Sequence, residues 1–308
     1  MSEPAMPAAA PPPIRPGDTV AVVTPCGPPD PARLARGIRV LEGLGLKVVT
    51  GAHVLDRHRY LAGADAARAA DLQEAWCDPA VSAVFCARGG YGATRVLGLL
   101  DWDALRAAGP KALVGSSDVT ALHSAFAAEL GLASWFGPMP ACTTISDPGG
   151  PEPRTFGHLE AALAGDPAPV AGDRMIVPGD VTAPVTGGNL TLLAALCGTP
   201  YALSARGRIV LLEDVGEAPY RIDRMLTQLL QSGALDGAAG FALGSWVGCG
   251  DPYPVLEELL APLGVPVLAG LPVGHGSPQF SVLLGALGAI DAKSCSLTYS
   301  TGDVGKAR

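Results

Sequence analysis

Short apolar runs and amphipathic stretches alternate through the first half of the chain. "DTVAVVTPCGPPD" carries an apolar run that stops in a proline- and glycine-rich loop, and predicts a buried strand. "PARLARGIRVLEGLG" spaces its apolar residues at helical intervals and ends at Gly43 and Gly45. "LKVVTG" predicts a second strand, and "GADAARAADLQEAWCD" a helix with Asp65 near its start. "VSAVFCARGGYG" is a strand running into a glycine-rich turn. "ATRVLGLLDWDALRAAG" reads as helical throughout, and "KALVG" is again a strand. Strands alternating with helices imply an α/β fold built of parallel βαβ units. Ligands bind such sheets at the carboxyl ends of the strands. Both "RGGYG" and "GSSD" stand at such ends.

The pattern breaks between Pro148 and Thr186, where "DPGGPEPR" and "GDPAPVAGDRMIVPGDVTAPV" are turn-rich and weakly periodic. This break predicts a crossing between two domains, residues 151–185. It separates an N-terminal domain, residues 14–150, from a C-terminal one, residues 186–308. Within the latter, "GGNLTLLAALCGTP" predicts a turn and a short helix. "GRIVLLEDVGEAPYRIDRMLTQLLQSGAL" predicts a strand, a polar turn and a long amphipathic helix. "GAAGFALGSW" and "PVLAGLPVGHG" predict further strands. No internal repeat is present.

Composition narrows the function classes. The 308 residues are 48% hydrophobic and 16% charged, so a sizeable core is feasible, and 40 glycines with 29 prolines imply many tight turns. A net charge of −8 without a dense basic run speaks against a nucleic-acid partner. No apolar run reaches the roughly 18–20 residues of a membrane span. "MSEPAMPAAAPPPIRPGD" lacks the basic and apolar regions of a secretory leader, and its composition predicts disorder over residues 1–13. Seven scattered cysteines form no C-x-x-C pair, which points to free thiols in a reducing cytoplasm and gives no support for a metal site. There is no G-x-G-x-x-G or Walker pattern, so no nucleotide cofactor is expected.

Candidate chemistry centres on Ser117 in "KALVGSSDVTALHSAF". At a strand-to-helix turn it is either a nucleophile, beside N–H groups that favour an oxyanion, or a helix N-cap. A nucleophile needs a base and an orienting acid. Of the histidines, His53 and His58 lie in a polar segment, His123 points along the helix away from the turn, and His158 is near the domain crossing. His275, between two glycines at a strand end, is placed to reach a cleft. Glu213, Asp214 and Glu217 cluster at the end of "IVLLEDVGE". Asp214 and Glu217 also suit the start of the following helix.

Five segments, "RGGYGATRVL", "GSSDVTALHSAF", "GGNLTLLAALCGTP", "LLEDVGEAPYRIDRMLTQL" and "GLPVGHG", follow in this order. Together with "PGDTVAVVTP" and "RYLAGADAARAADL" they resemble the LD-carboxypeptidase (muramoyl-tetrapeptide carboxypeptidase) family, whose superfamily includes the microcin-immunity serine peptidases. The similarity spans about residues 14–292. It implies a flavodoxin-like N-terminal domain with a parallel sheet and a smaller, β-rich α/β C-terminal domain. It further implies a Ser-His-Glu triad of Ser117, Glu213 and His275 at their junction. The oxyanion would meet backbone N–H groups of Gly89, Gly90 and Asp118. Arg88 and Asn189 would bind substrate, a murein-derived peptide ending in D-Ala. A cytoplasmic homodimer with no cofactor is implied. Two alternatives accompany it: an immunity-type peptidase using Trp135, Trp246 or Tyr253 against a nucleotide base, and a non-catalytic peptide binder. Ser116 and Phe136 stand where the family often has a larger residue and a histidine, and both are expected near the cleft.

Overall fold

The computed structural model describes residues 5–299. Fourteen strands run in chain order as β1 (Thr19–Val23), β2 (Lys47–Thr50), β3 (Val81–Cys86), β4 (Ala112–Gly115), β5 (Ser134–Phe136), β6 (Val170–Ala171) and β7 (Arg174–Val177). They continue as β8 (Val181–Asn189), β9 (Ile209–Val215), β10 (Gly240–Val247), β11 (Val267–Ala269), β12 (Val282–Leu284), β13 (Leu287–Asp291) and β14 (Ser296–Tyr299). They form two sheets in a mixed α/β architecture of two domains.

The first sheet has the order β12-β5-β4-β3-β1-β2 and is parallel except for β12, which pairs antiparallel with β5. Successive side chains of β1 and β3 enter opposite cores. Ala21, Val23, Val84 and Cys86 pack with Trp76 and Phe126 on one face, and Val20, Val22, Ala83 and Phe85 with Trp135 on the other. Burial of both faces is the reason these strands read as continuous apolar runs. Trp76 and Phe126 meet edge to face at 4.8 Å. In the helix Pro31–Gly43, Pro31 stands in the first turn and Asp30 caps it by accepting from Arg33 N at 2.8 Å.

The second sheet has the order β6-β14-β13-β8-β9-β10-β11-β7. Its centre, β8 to β11, is parallel, and antiparallel strands flank it. The helix Pro219–Gln231 buries Ile222, Leu226 and Leu229, one stripe at helical spacing, in the core it shares with Val210, Leu212 and Phe241.

Three local expectations change. Residues from Ala8 onward are fastened by backbone bonds: Ala8 N donates to Gly285 O, Ala9 N to Gly131 O, and Ala133 N to Ala9 O. A segment poor in large side chains can still pair its main chain, so the expected disorder of residues 1–13 does not extend through it; residues 1–4 lie outside the described residues. The crossing, residues 151–185, is not bare: it carries the helix Pro153–Leu163, β6, β7 and the start of β8. The stretch from Ala93 to Ala107 is two α-helices with a short 3-10 turn (Leu97–Leu99) after the first, rather than one helix, and Asp101 accepts from Ala104 N to open the second at Trp102. The final residues of the C-terminal domain, 300–308, lie outside the described residues.

Candidate active site

The carboxyl ends of β3 and β4 bring two turns together. After β4, Ser116 is extended and Ser117 takes φ +61°. A non-glycine residue in this left-handed region costs roughly 1–2 kcal/mol. Ser117 is no helix cap: its hydroxyl has no hydrogen-bond partner among the described residues. After β3, Gly89 faces it so closely that an added Cβ would lie 2.7 Å from Ser117 Cβ and 2.9 Å from Oγ. Only glycine lets this backbone approach.

Buried charge locks the two turns to each other. Asp118, foreseen only as a backbone donor, uses its side chain: Oδ2 accepts from Ala93 N at 2.8 Å, just past the glycine turn. Burial pushes its carboxyl above the usual range. Arg68, fully buried, donates to Gly92 O at 2.9 Å and to Pro25 O, which ties the turn to the loop after β1. Asp65 is the ionic partner of Arg68 and also takes two bonds from Arg95.

The C-terminal domain supplies a carboxylate and an imidazole. Glu213, at the end of β9, is fully buried, and its Oε2 lies 2.8 Å from His275 Nδ1. Gly274, with φ +109°, makes this contact feasible, since a Cβ there would lie 2.2 Å from Glu213 Oε2. Burial raises the Glu213 pKa, against the bonds from His275 and Asn189. Burial also works against the His275 imidazolium, but the bond and charge of Glu213 outweigh it and hold the His275 pKa above its usual value. The remaining acids serve elsewhere. Asp214 accepts from Thr191 N and Oγ1, bracing the helix Leu190–Ala195 rather than the one after it, and Glu217 pairs with Arg221 at the surface.

One cavity of about 510 Å³ is lined by Ser117, Gly89, Gly90, Arg88 and His275. Ser117 and His275 share it, without a hydrogen bond between them in this structure. Asn189, foreseen as a substrate contact, lies beneath the site instead. The register of β8 on β9 sets it opposite Glu213, where it is buried and donates to Glu213 Oε1 at 3.2 Å and Asp214 Oδ1 at 3.0 Å. Phe136 is likewise fully buried, tilted against the His123 ring. His123 spends both ring nitrogens on Ser134 Oγ and Gly115 O, and burial lowers its pKa to about 4. His53 pairs with Asp56, and His158 meets Ala168 O and Ser281 N.

Sequence reasoning missed Gln279. It is buried at the cleft wall and joins both domains: Nε2 donates to Ser116 Oγ at 3.2 Å, Oε1 accepts from Thr144 Oγ1 at 3.2 Å, and its N–H meets Thr155 Oγ1 at 2.9 Å. No motif marks it; only its place four residues after His275 hints at a role. Gln279→Leu keeps the bulk but leaves Ser116 and Thr144 unpaired. The expected result is a loss of about 1–3 kcal/mol of stability, read by denaturant titration, with a drop in kcat. Unchanged stability would show that water replaces these bonds.

The match to known proteins covers both domains. Residues 20–137 match the LD-carboxypeptidase N-terminal domain, and residues 182–290 the LD-carboxypeptidase C-terminal domain. A Streptomyces coelicolor protein provisionally named a carboxypeptidase is 51% identical over 296 residues, 92% of this chain and 94% of the relative. The murein tetrapeptide carboxypeptidase of Pseudomonas aeruginosa is 36% identical, across 84% of this chain and 88% of the relative. Among solved structures, the muramoyltetrapeptide carboxypeptidase from Oxalobacter formigenes superposes with a TM-score of 0.81 at 32% identity, covering 91% of this chain and 97% of that one. The microcin immunity protein MccF, bound to glutamyl sulfamoyl guanosine, shares the fold at 24% identity, with a TM-score of 0.84 over 96% of this chain and 98% of that one. With both of its domains matched and relatives of this identity along nearly its whole length, the chain belongs to the LD-carboxypeptidase family of peptidases.

Proposed function

We propose that the chain is a serine-type LD-carboxypeptidase that removes the terminal D-Ala of murein-derived tetrapeptides. The observation that carries this reading is the buried Glu213–His275 pair opening on the cleft that holds the left-handed Ser117. Nδ1 of His275 is engaged by Glu213, which leaves Nε2 for the serine proton. Ser117 Oγ attacks the carbonyl that joins the L-centre of the diamino acid to D-Ala, and its proton passes to His275. N–H groups of Asp118 and of the Gly89–Gly90 turn receive the oxyanion, where one good donor is worth roughly 3–4 kcal/mol. Collapse expels the D-Ala amine, which takes the proton back from His275. Water then cleaves the acyl-serine by the same route in reverse. A cytoplasmic homodimer acting in wall recycling is the setting that this reading carries.

A second reading draws on one feature. Trp246 and Tyr253 line an adjoining cavity of about 550 Å³, which shares Gly276 with the cleft. Aromatic walls there suit a nucleotide base, and MccF, similar in fold, binds such a ligand. Trp135, by contrast, is buried in the core.

One incubation separates the readings. The protein is mixed with murein tetrapeptide and with an aminoacyl-sulfamoyl nucleotide, and products are weighed by mass spectrometry. D-Ala release supports the first reading, and nucleotide release alone the second. Neither product, together with no labelling of Ser117 by a serine-reactive probe, would leave the non-catalytic binder.

A further inference from the structure

Cleavage at a chain end adds one requirement that the groups described so far do not meet. The residue split off bears a free carboxylate, and its Cα lies only about 3.8 Å beyond the Cα before it. Whatever holds that carboxylate must line the same cleft as Ser117. Among the residues lining it, Arg33 and Arg88 are the two with a permanent positive charge.

We propose that Arg33 and Arg88 form a subsite for the free C-terminal carboxylate of the substrate, an inference that rests on the peptidase reading above. Arg33 is exposed, and its guanidinium has no hydrogen-bond partner among the described residues. It stands in the first turn of the helix Pro31–Gly43, where the helix dipole favours an acid over a cation. Its charge favours the ionised Asp30 cap but opposes the helix dipole, so the dipole does not account for an arginine at this place. Asp30 shares the wall, but its carboxylate is committed to capping the helix through Arg33 N.

Arg88 is anchored rather than free. Its Nη1 donates to Pro28 O at 3.2 Å, and its Nη2 lies 3.4 Å from where a Cβ of Gly90 would be. The guanidinium therefore reaches over the turn whose Gly89 faces Ser117. Both charges are felt at one place in the cleft. Burial pushes the thiol of Cys142, which lines it, upward, and Arg88 and Arg33 both pull against that. On a chain of net charge −8 this is a local cationic wall. A pair of guanidiniums, one anchored and one with its donors unspent, suits the planar fork of a carboxylate.

The test uses a D-Ala-terminated tetrapeptide as free acid and as C-terminal amide. Binding is measured by calorimetry on Ser117→Ala, and turnover on the parent enzyme. The acid should bind about 10- to 100-fold more tightly than the amide. In the Ser117→Ala background, Arg33→Gln and Arg88→Gln should each erase most of that preference while leaving amide binding unchanged. Arg33→Lys should restore part of it. In the active enzyme the same substitutions should raise KM for the acid more than they lower kcat. Arg39→Gln removes an equal charge from the same helix outside the cleft and should change neither peptide. Equal binding of acid and amide by Ser117→Ala, or equal weakening of both by the arginine substitutions in that background, overturns the subsite. Turnover without discrimination sinks the subsite and leaves the peptidase reading standing. Discrimination without turnover does the reverse.

Discussion

Ser117→Ala is expected to remove turnover by about four to six orders of magnitude while leaving the fold intact. In the proposed mechanism Ser117 Oγ is the attacking atom, which no neighbour replaces, and its hydroxyl holds nothing else in place among the described residues. Ser117→Gly is the informative companion. Ser117 sits at φ +61°, a conformation that costs an L-residue roughly 1–2 kcal/mol and glycine almost nothing. Glycine's extra freedom in the unfolded chain offsets part of this gain. The glycine variant should therefore be more stable than the alanine variant by about 1 kcal/mol, and equally inactive. Thermal unfolding and D-Ala release on the same preparations read both outcomes. Activity within tenfold of the parent in either variant would mean that Ser117 is not the nucleophile. Ser116→Ala, which loses only the bond from Gln279, should retain the chemistry.

Glu213→Gln has the second largest expected effect, a loss of about 10³- to 10⁴-fold in kcat. The amide could not balance the imidazolium that the proposed mechanism forms at His275, 2.8 Å away, and one of its orientations turns a donor toward Nδ1–H. The pH profile gives an independent readout. If His275 is the base, as proposed, turnover needs it neutral, and kcat/KM should rise with pH through the His275 pKa. Glu213 holds that pKa above the ordinary value, so the parent's acid limb should lie above about pH 6.5. Without the carboxylate, burial disfavours the imidazolium and only the charge of Asp214 still supports it. The residual activity of Glu213→Gln should then show its acid limb at lower pH than the parent. Glu217→Gln, whose partner is Arg221 at the surface, should leave the limb where it is. A larger loss at Glu217 than at Glu213 would show that the acid had been misassigned.

The conformations of Ser117 and Gly274 explain why the turns look as they do in the chain. Gly274 must be glycine because the carboxylate of Glu213 occupies the space of its side chain, and Gly89 because Ser117 does. The glycines were legible in the sequence as turns, but what they approach was not. The same holds for Asp118. Its position beside Ser117 was plain, whereas the bond from its carboxylate to Ala93 N depends on where the neighbouring strand ends.

Local pattern alone determined the parallel α/β half, since strands buried on both faces must be apolar along their whole length and helices between them must carry a stripe. It also bounded the chemistry to a serine at a strand end, a histidine between glycines and three neighbouring acids. Local pattern leaned to Glu213, because Asp214 and Glu217 suit a helix start, but could not settle the choice among the three. Neighbours on a strand point to opposite faces, and which face meets the His275 loop is set by how β9 lies between β8 and β10. Nor could it foresee β12, whose pairing with β5 carries the C-terminal chain back into the first sheet. Asn189 moved beneath the acid and Gln279 into the cleft wall for the same reason. Hydrophobic period is a property of a few adjacent residues, while a hydrogen bond such as Gln279 to Ser116, 163 residues apart, exists only once both domains have packed.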